Sequence, residues 1–136
     1  MTPKKEFIEH QDALLNHLIL GEVKRGKSFG IHFFQEELHR IEEITKHENP
    51  QGVWEAKVMM RHPKTKNWVG KAKASTFFPR TWSKEVLIQK LEEAFENQRK
   101  VTSYQALGQT SCGISINFFY KQGDIVGCFP KYDANP

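Results

Sequence analysis

Residues 82–99, with the sequence WSKEVLIQKLEEAFENQR, decide the fold class because they form a helical pattern between two regions of strand character. The hydroxyl of Ser83 is a typical helix N-cap, and Trp82 and Leu87 have the spacing of a hydrophobic staple. Apolar residues recur on one side, at Val86, Leu87, Leu91, Ala94 and Phe95. We therefore predict a helix that begins after Ser83, ends near Arg99 and buries this side.

Strand patterns flank this helix. Residues 53–61 alternate, residues 63–67 are a predicted turn, and residues 68–78 are the expected hairpin partner, ended by Pro79. Further strands are predicted at residues 103–107, 113–120 and 125–129, with the last two joined by a turn at 121–124.

The chain before these strands begins with another predicted helix, residues 5–20, which ends at Gly21. A loop is expected at 22–30, a short strand or buried turn at 31–34, and the acidic residues 36–48 fit neither pattern clearly. Helices come mostly early and strands late, which predicts an α+β fold with antiparallel sheet.

Composition predicts one folded domain. The chain has 136 residues, 38% of them apolar, and no apolar run approaches the roughly 20 residues that span a bilayer. Residues 1–6 lack the apolar stretch of a signal peptide, so we expect no membrane association and no secretion signal.

Motifs exclude several function classes. Cys112 and Cys128 form no Cys-x-x-Cys pair, and the histidines form no His-Glu-x-x-His, so we predict no metal site and no disulfide framework. The chain lacks a P-loop, Gly-x-Gly-x-x-Gly and Gly-x-Ser-x-Gly, which argues against kinases, dehydrogenases and serine hydrolases.

Charge is concentrated in one region. The net charge is +4, and residues 54–84 contain one acid, Glu55, against eight basic residues. These are Lys57, Arg61, Lys64, Lys66, Lys71, Lys73, Arg80 and Lys84. The asymmetry favours a polyanionic partner, although a solvated surface is the alternative, and a DNA-binding regulator would rest on charge alone.

Two histidines fifteen residues apart, His17 and His32, are candidate catalytic groups. Histidine titrates near pH 6.5, so a pair can supply one neutral base and one protonated acid for attack of an RNA 2′-hydroxyl on phosphorus. His17, near a helix C-terminus, suits the acid, and His32, after Gly30, suits the base. Each could instead be structural, as we expect of His10, His39, His47 and His62.

A strand over 68–78 would place Lys71, Lys73 and Ser75 on one face. Two ammonium groups beside a hydroxyl can hold a phosphate or a base edge. The alternative is a solvated lysine face on an edge strand.

Several segments in this order resemble the EndoU family of uridylate-preferring endoribonucleases, in its short bacterial form found in toxins and as free-standing proteins. They are residues 17–22 (HLILGE), 30–32 (GIH), 52–58 (GVWEAKV), 75–83 (STFFPRTWS), 111–116 (SCGISI) and 127–130 (GCFP). The resemblance implies N-terminal helices followed by two antiparallel β-sheets around a positively charged groove. It also implies cleavage of single-stranded RNA at uridine, leaving 2′,3′-cyclic phosphate and 5′-hydroxyl ends.

The resemblance carries roles to individual residues. His17 would be the acid, His32 the base and Lys71 the phosphate-binding lysine, with Lys73 as its alternative. Ser75 and Thr76 would contact uracil, and Phe129 would stack on a sugar or base. No cofactor is required, and manganese stimulation is left open.

The resemblance also bears on partners and location. We expect a monomer in the cytoplasm, or a toxin domain delivered into a target cell and bound by an immunity protein. The sequence departs from the family pattern at Phe33, where many relatives have a second histidine, and at Gly127 and Phe129, where relatives often have threonine and tyrosine. A catalytically silent RNA-binding module of the same fold is therefore the alternative function.

Overall fold

The computed structural model of the chain describes residues 3–24, 27–62, 64–70 and 73–135. Helix α1 (Pro3–Leu15) continues into a π-helical turn (Asn16–Leu20), and α2 spans Lys84–Asn97. The strands are β1 (Glu22–Lys24), β2 (Lys27–Phe29), β3 (His39–Lys46), β4 (Trp54–Arg61), β5 (Trp68–Gly70), β6 (Ser75–Phe77), β7 (Arg99–Thr102), β8 (Gln105–Gln109), β9 (Ser115–Lys121) and β10 (Asp124–Pro130). No helix among these residues is long and apolar enough to cross a membrane.

The strands form a small hairpin, β1 with β2, and two larger sheets whose pairings are all antiparallel. The N-terminal sheet has the order β3-β4-β5, with β6 also paired to β4, and the C-terminal sheet has the order β10-β9-β8-β7. The predicted α+β fold with two antiparallel sheets is confirmed.

The strand predicted over residues 68–78 is wrong in one respect, because it is two strands. Gly70 pairs with Met59 and Ser75 pairs with Ala56, while residues 73 and 74 belong to neither strand. The alternation expected over the whole of residues 68–78 is therefore interrupted before Ser75. Lys73 is exposed, whereas Ser75 is buried, and Lys71 lies outside the described residues.

Three further strand regions differ from the sequence expectation. The loop expected at 22–30 contains β1 and β2, the ambiguous acidic segment contains β3, and β7 follows α2 directly. In β3 the glutamates Glu42 and Glu43 are exposed, whereas Ile41 and Ile44 pack against the N-terminal core. Because β3 carries these two adjacent exposed glutamates, its sequence lacks the regular alternation of apolar and polar residues that predicts a strand.

The core has two clusters of buried side chains. The larger cluster joins the two helices to the C-terminal sheet and includes Phe7, Leu18, Leu91, Phe118 and Cys128, whose complete burial raises the pKa of its thiol. The smaller cluster covers the N-terminal sheet and contains Ile31, Trp54, Ala56, Val58, Met60 and Phe77.

The predicted second helix is confirmed in its cap and its buried side. Ser83 Oγ accepts a hydrogen bond of 3.2 Å from the Val86 amide. Its buried residues are Leu87, Leu91, Ala94 and Phe95, while Val86 is half-buried. Trp82 stacks on Phe78, with ring centroids 5.7 Å apart.

Candidate active site

His17 lies on the π-helical turn that ends α1. Such turns are frequent at functional sites because they release backbone groups from the helical pattern. Here the carbonyl of His17 accepts from the Ile31 amide at 2.9 Å, and that of Leu18 accepts from the His32 amide at 2.8 Å. The backbone of the first histidine segment thus holds the backbone of the second.

Gly30 allows this close approach. Its φ is 82°, and a Cβ built on it would lie 2.5 Å from the His17 carbonyl oxygen. The next residue, Ile31, is fully buried at φ 67°, a conformation that is strained for a β-branched side chain. Strain of this kind persists only where surrounding contacts enforce it, and it is often found at functional sites.

The imidazoles of His17 and His32 face one another, with ring centroids 5.6 Å apart and planes at 30°. His32 is 8% exposed and His17 is half-buried. His32 Nδ1 donates to the Thr76 carbonyl at 2.7 Å. Because a carbonyl can only accept, the proton of neutral His32 is on Nδ1 and the lone pair is on Nε2.

Strand β10 packs against the rings of both histidines. A Cβ at Gly127 would come within 2.8 Å of Cε1 and Nε2 of His17. The Phe129 ring lies 5.6 Å from the His32 ring and stacks on Phe119 at 5.4 Å. A bulge between Ile125 and Gly127 interrupts the β9–β10 register immediately before these contacts.

The predicted uracil-contacting residues lie on β6, beside His32. Ser75 is 2% exposed, and its hydroxyl donates to the Gly30 carbonyl at 3.4 Å. Thr76 Oγ1 is buried and has no hydrogen-bond partner among the described residues. The structure therefore brings together His17, His32, Ser75, Thr76 and Phe129.

Of the two candidate lysines, only one lies among the described residues. Lys73 is exposed in the segment between β5 and β6, and Lys71 is not among the described residues. Within the described parts of the chain, no group of three or more His, Cys, Asp or Glu residues could hold a metal ion.

His39 is hydrogen-bonded to the π-helical turn that carries His17. It is 2% exposed; its Nδ1 accepts from the Gln35 amide at 3.0 Å, and its Nε2 donates to the Ile19 carbonyl at 2.6 Å. Burial lowers the pKa of His39, which favours the neutral ring that these two bonds require. The sequence predicts a structural histidine here, but its partner in the π-helical turn is 20 residues away.

One known protein family matches the part of the sequence that contains these site residues. The sequence profile of a family described as bacterial EndoU nuclease matches residues 11–132. The chain belongs to the bacterial EndoU nuclease family. The match includes both histidine segments and β10, so the family predicted from the short motifs is confirmed.

This EndoU nuclease is similar to a protein of Bacillus cereus whose name is "Toxin". The two are 32% identical over 125 residues, which cover 85% of this chain and 22% of the relative. The chain thus spans about a fifth of the length of the curated relative it matches. No solved structure matches the chain.

Proposed function

We propose that this EndoU nuclease cleaves single-stranded RNA without a required metal, preferentially at uridine. The observation that carries the proposal is the pair of facing imidazoles, His17 and His32, 5.6 Å apart. That separation lets both rings reach groups on one phosphodiester. Single strands are the physically sensible substrate because their bases can be splayed out and read.

His32 is the general base of the proposed reaction. Its Nδ1 proton is engaged by the Thr76 carbonyl, so Nε2 removes the proton of the 2′-hydroxyl. The freed oxygen forms a bond to the adjacent phosphorus. Rigid orientation of the ring by a backbone carbonyl supports this role, since a base must be aligned with the proton that it abstracts.

His17 is the general acid. It protonates the departing 5′-oxygen as the phosphorus–oxygen bond breaks, and the products are a 2′,3′-cyclic phosphate and a 5′-hydroxyl. A cation stabilises the negative charge on the phosphorane. From the family resemblance we propose Lys71 for this role, with Lys73 as the alternative. His32 then releases the proton that it gained to water, and His17 takes up one proton from water, which restores the enzyme.

Uridine selection is proposed for Ser75, Thr76 and Phe129. Thr76 Oγ1 is buried without a hydrogen-bond partner among the described residues, so contact with a base would require a small shift of β6. The half-buried Phe129 ring beside His32 offers a stacking surface. Stacking on an aromatic ring contributes about 1–3 kcal/mol per base. Phe129 lacks a hydroxyl, so its contribution is stacking alone.

The biological setting is also proposed. The similarity to a Bacillus cereus protein named "Toxin" supports a toxin domain that is delivered into a target cell and bound by an immunity protein. Cleavage of cytoplasmic RNA would be its toxic activity.

A single-uridine RNA tests the reaction. In the presence of a chelator, we expect cleavage of this strand, with a cyclic phosphate end, and no cleavage of the strand carrying 2′-deoxyuridine. Cleavage of the deoxy strand would exclude the 2′-hydroxyl mechanism.

Substitution of each histidine tests its proposed role as acid or base. His17→Ala and His32→Ala should each lower the rate about 10²–10⁴-fold, as expected for loss of a general acid or base. His47→Ala, at an exposed histidine, is the matched control and should retain full activity. Full activity of a folded His17→Ala or His32→Ala protein would remove that residue from its role.

A catalytically silent RNA-binding module is the second candidate, and Gly127 and Phe129 favour it because family members often have threonine and tyrosine there. RNA binding by the wild-type protein without cleavage of either strand would support this alternative.

A further inference from the structure

A cleft opens where the π-helical turn ends. Its volume is about 740 Å³, within the roughly 300–1,000 Å³ of typical ligand sites. Leu20, Leu38 and Met60 give it an apolar lining, and Leu20 is 48% exposed. The cleft therefore has apolar surface that is open to a ligand.

The charged lining comes from the connection between β4 and β5. Arg61, Lys64 and Lys66 line the cleft, together with one acid, Glu37. None of the three cations forms an ion pair with a carboxylate among the described residues. In the described lining, three cationic side chains thus stand against one carboxylate.

This connection is held in place by its own hydrogen bonds. The amides of Lys64 and Thr65 donate to His62 Nδ1 at 3.1 and 3.3 Å, and the Lys66 amide donates to the His62 carbonyl at 2.9 Å. Arg61 Nε donates to the Lys66 carbonyl at 3.3 Å. These hydrogen bonds place the backbone of both lysines next to Arg61 and His62.

The cleft is close to the histidine pair. Leu20, in its lining, follows His17 by three residues, which limits their Cα separation to about 11 Å. A strand with its scissile phosphate at His17 could therefore reach the cleft within a few nucleotides.

We propose that this cleft binds the backbone of the RNA strand next to the cleavage site. Lys64 and Lys66 contact phosphates, while the apolar lining receives a ribose or a base. Combined cationic and apolar surface is what single-stranded nucleic acid requires. The inference rests on the proposed RNA cleavage, and it gives a role to part of the basic region between residues 54 and 84.

Removal of two charges tests the cleft. The double variant Lys64→Gln/Lys66→Gln is compared with Lys100→Gln/Lys121→Gln, which removes two exposed lysines from the C-terminal sheet. The binding probe is a fluorescent RNA of about twelve nucleotides, within the site sizes of single-strand binders, with 2′-deoxyuridine at its one uridine.

We expect the cleft variant to bind this probe at least ~5-fold more weakly at low salt, while the control variant loses less than ~2-fold. The slope of log K against log salt should fall by roughly 1.4 for two phosphate contacts, at about 0.7 each for single strands. Cleavage of a uridine dinucleotide, which has one phosphate, should be unchanged, while kcat/KM for the longer strand falls.

Three results would overturn the cleft proposal: equal weakening in both variants, an unchanged salt slope, or an equal loss of cleavage on the dinucleotide and the longer strand. If the wild-type protein cleaves neither substrate, the proposed function fails, but the binding measurement still decides whether the cleft holds RNA.

Discussion

Close contacts at single residues position the two imidazoles. Gly30 brings the second histidine segment against the carbonyl of His17, and Gly127 lets β10 contact the His17 ring. The sequence singles out His17 and His32 by their chemistry and, through the family resemblance, by their spacing, and the structure brings their rings together. The Thr76 carbonyl could not be predicted, since any residue has a carbonyl and only the packed sheet brings this one to His32.

Gly127→Ala should impair catalysis more than folding. The added methyl would lie 2.8 Å from the tip of the His17 ring, so the ring would have to shift and would lose its alignment with His32. We expect kcat on uridine RNA to fall at least ~10-fold, with a change below about 1 kcal/mol in the free energy of unfolding. Val126→Ala, at an exposed neighbour in the bulge, should leave both unchanged. Wild-type kcat in folded Gly127→Ala would contradict this account.

His39 should make stability depend on pH. Its pKa is lowered in the folded protein, so the unfolded chain takes up a proton below about pH 6.5 that the folded chain does not. The contribution of His39 is therefore complete above about pH 6.5 and decreases as the pH falls towards its folded pKa.

The measurement is the free energy of unfolding of wild type and His39→Gln between about pH 5 and pH 8. At the upper end we expect the wild type to be more stable by about 1–3 kcal/mol, the usual effect of lost buried hydrogen bonds. The difference should shrink as the pH falls, and a constant difference would show that His39 does not titrate as described.

The helices and strands differ in how far their structure depends on residues that are nearby in the sequence. Helix α2 was predictable in its cap and buried side because a helix closes its own hydrogen bonds. The division of residues 68–78 into β5 and β6 was not, since both strands are defined by their register on β4. The π-helical turn was also missed, because its carbonyls are used by residues 31–33 and 39.

Ser83→Ala tests the local part of α2. Loss of the cap should reduce the free energy of unfolding by about 1 kcal/mol. Ser103→Ala, at an exposed serine outside a helix, should change it by less than about 0.5 kcal/mol. Chemical denaturation of both variants gives the comparison, and equal effects would mean that the cap does not stabilise the helix.

On the scale of the whole molecule, two consecutive residues join the two cores. Phe77 packs in the N-terminal cluster and Phe78 in the helical cluster. The amide of Phe78 donates to the His32 carbonyl at 2.9 Å, and the Phe78 carbonyl accepts from Trp54 Nε1 at 3.3 Å. His32 is thus connected to both clusters, which is the arrangement expected if the chain forms one domain.

Phe77→Leu and Phe78→Leu test whether the two clusters unfold as one domain. Each removes buried volume from a different cluster, and each should cost about 1–2 kcal/mol. If the clusters unfold together, both variants lower the midpoint of a single calorimetric transition. Separate transitions, with each variant shifting only one, would show two independent units.

The order of the site residues along the chain has a consequence for biosynthesis. During translation both histidines are synthesised before β10, the strand that their rings contact. A nascent chain that stops short of Gly127 has the reactive side chains without the surface that aligns them. The histidine pair is thus aligned only after β10 has been synthesised.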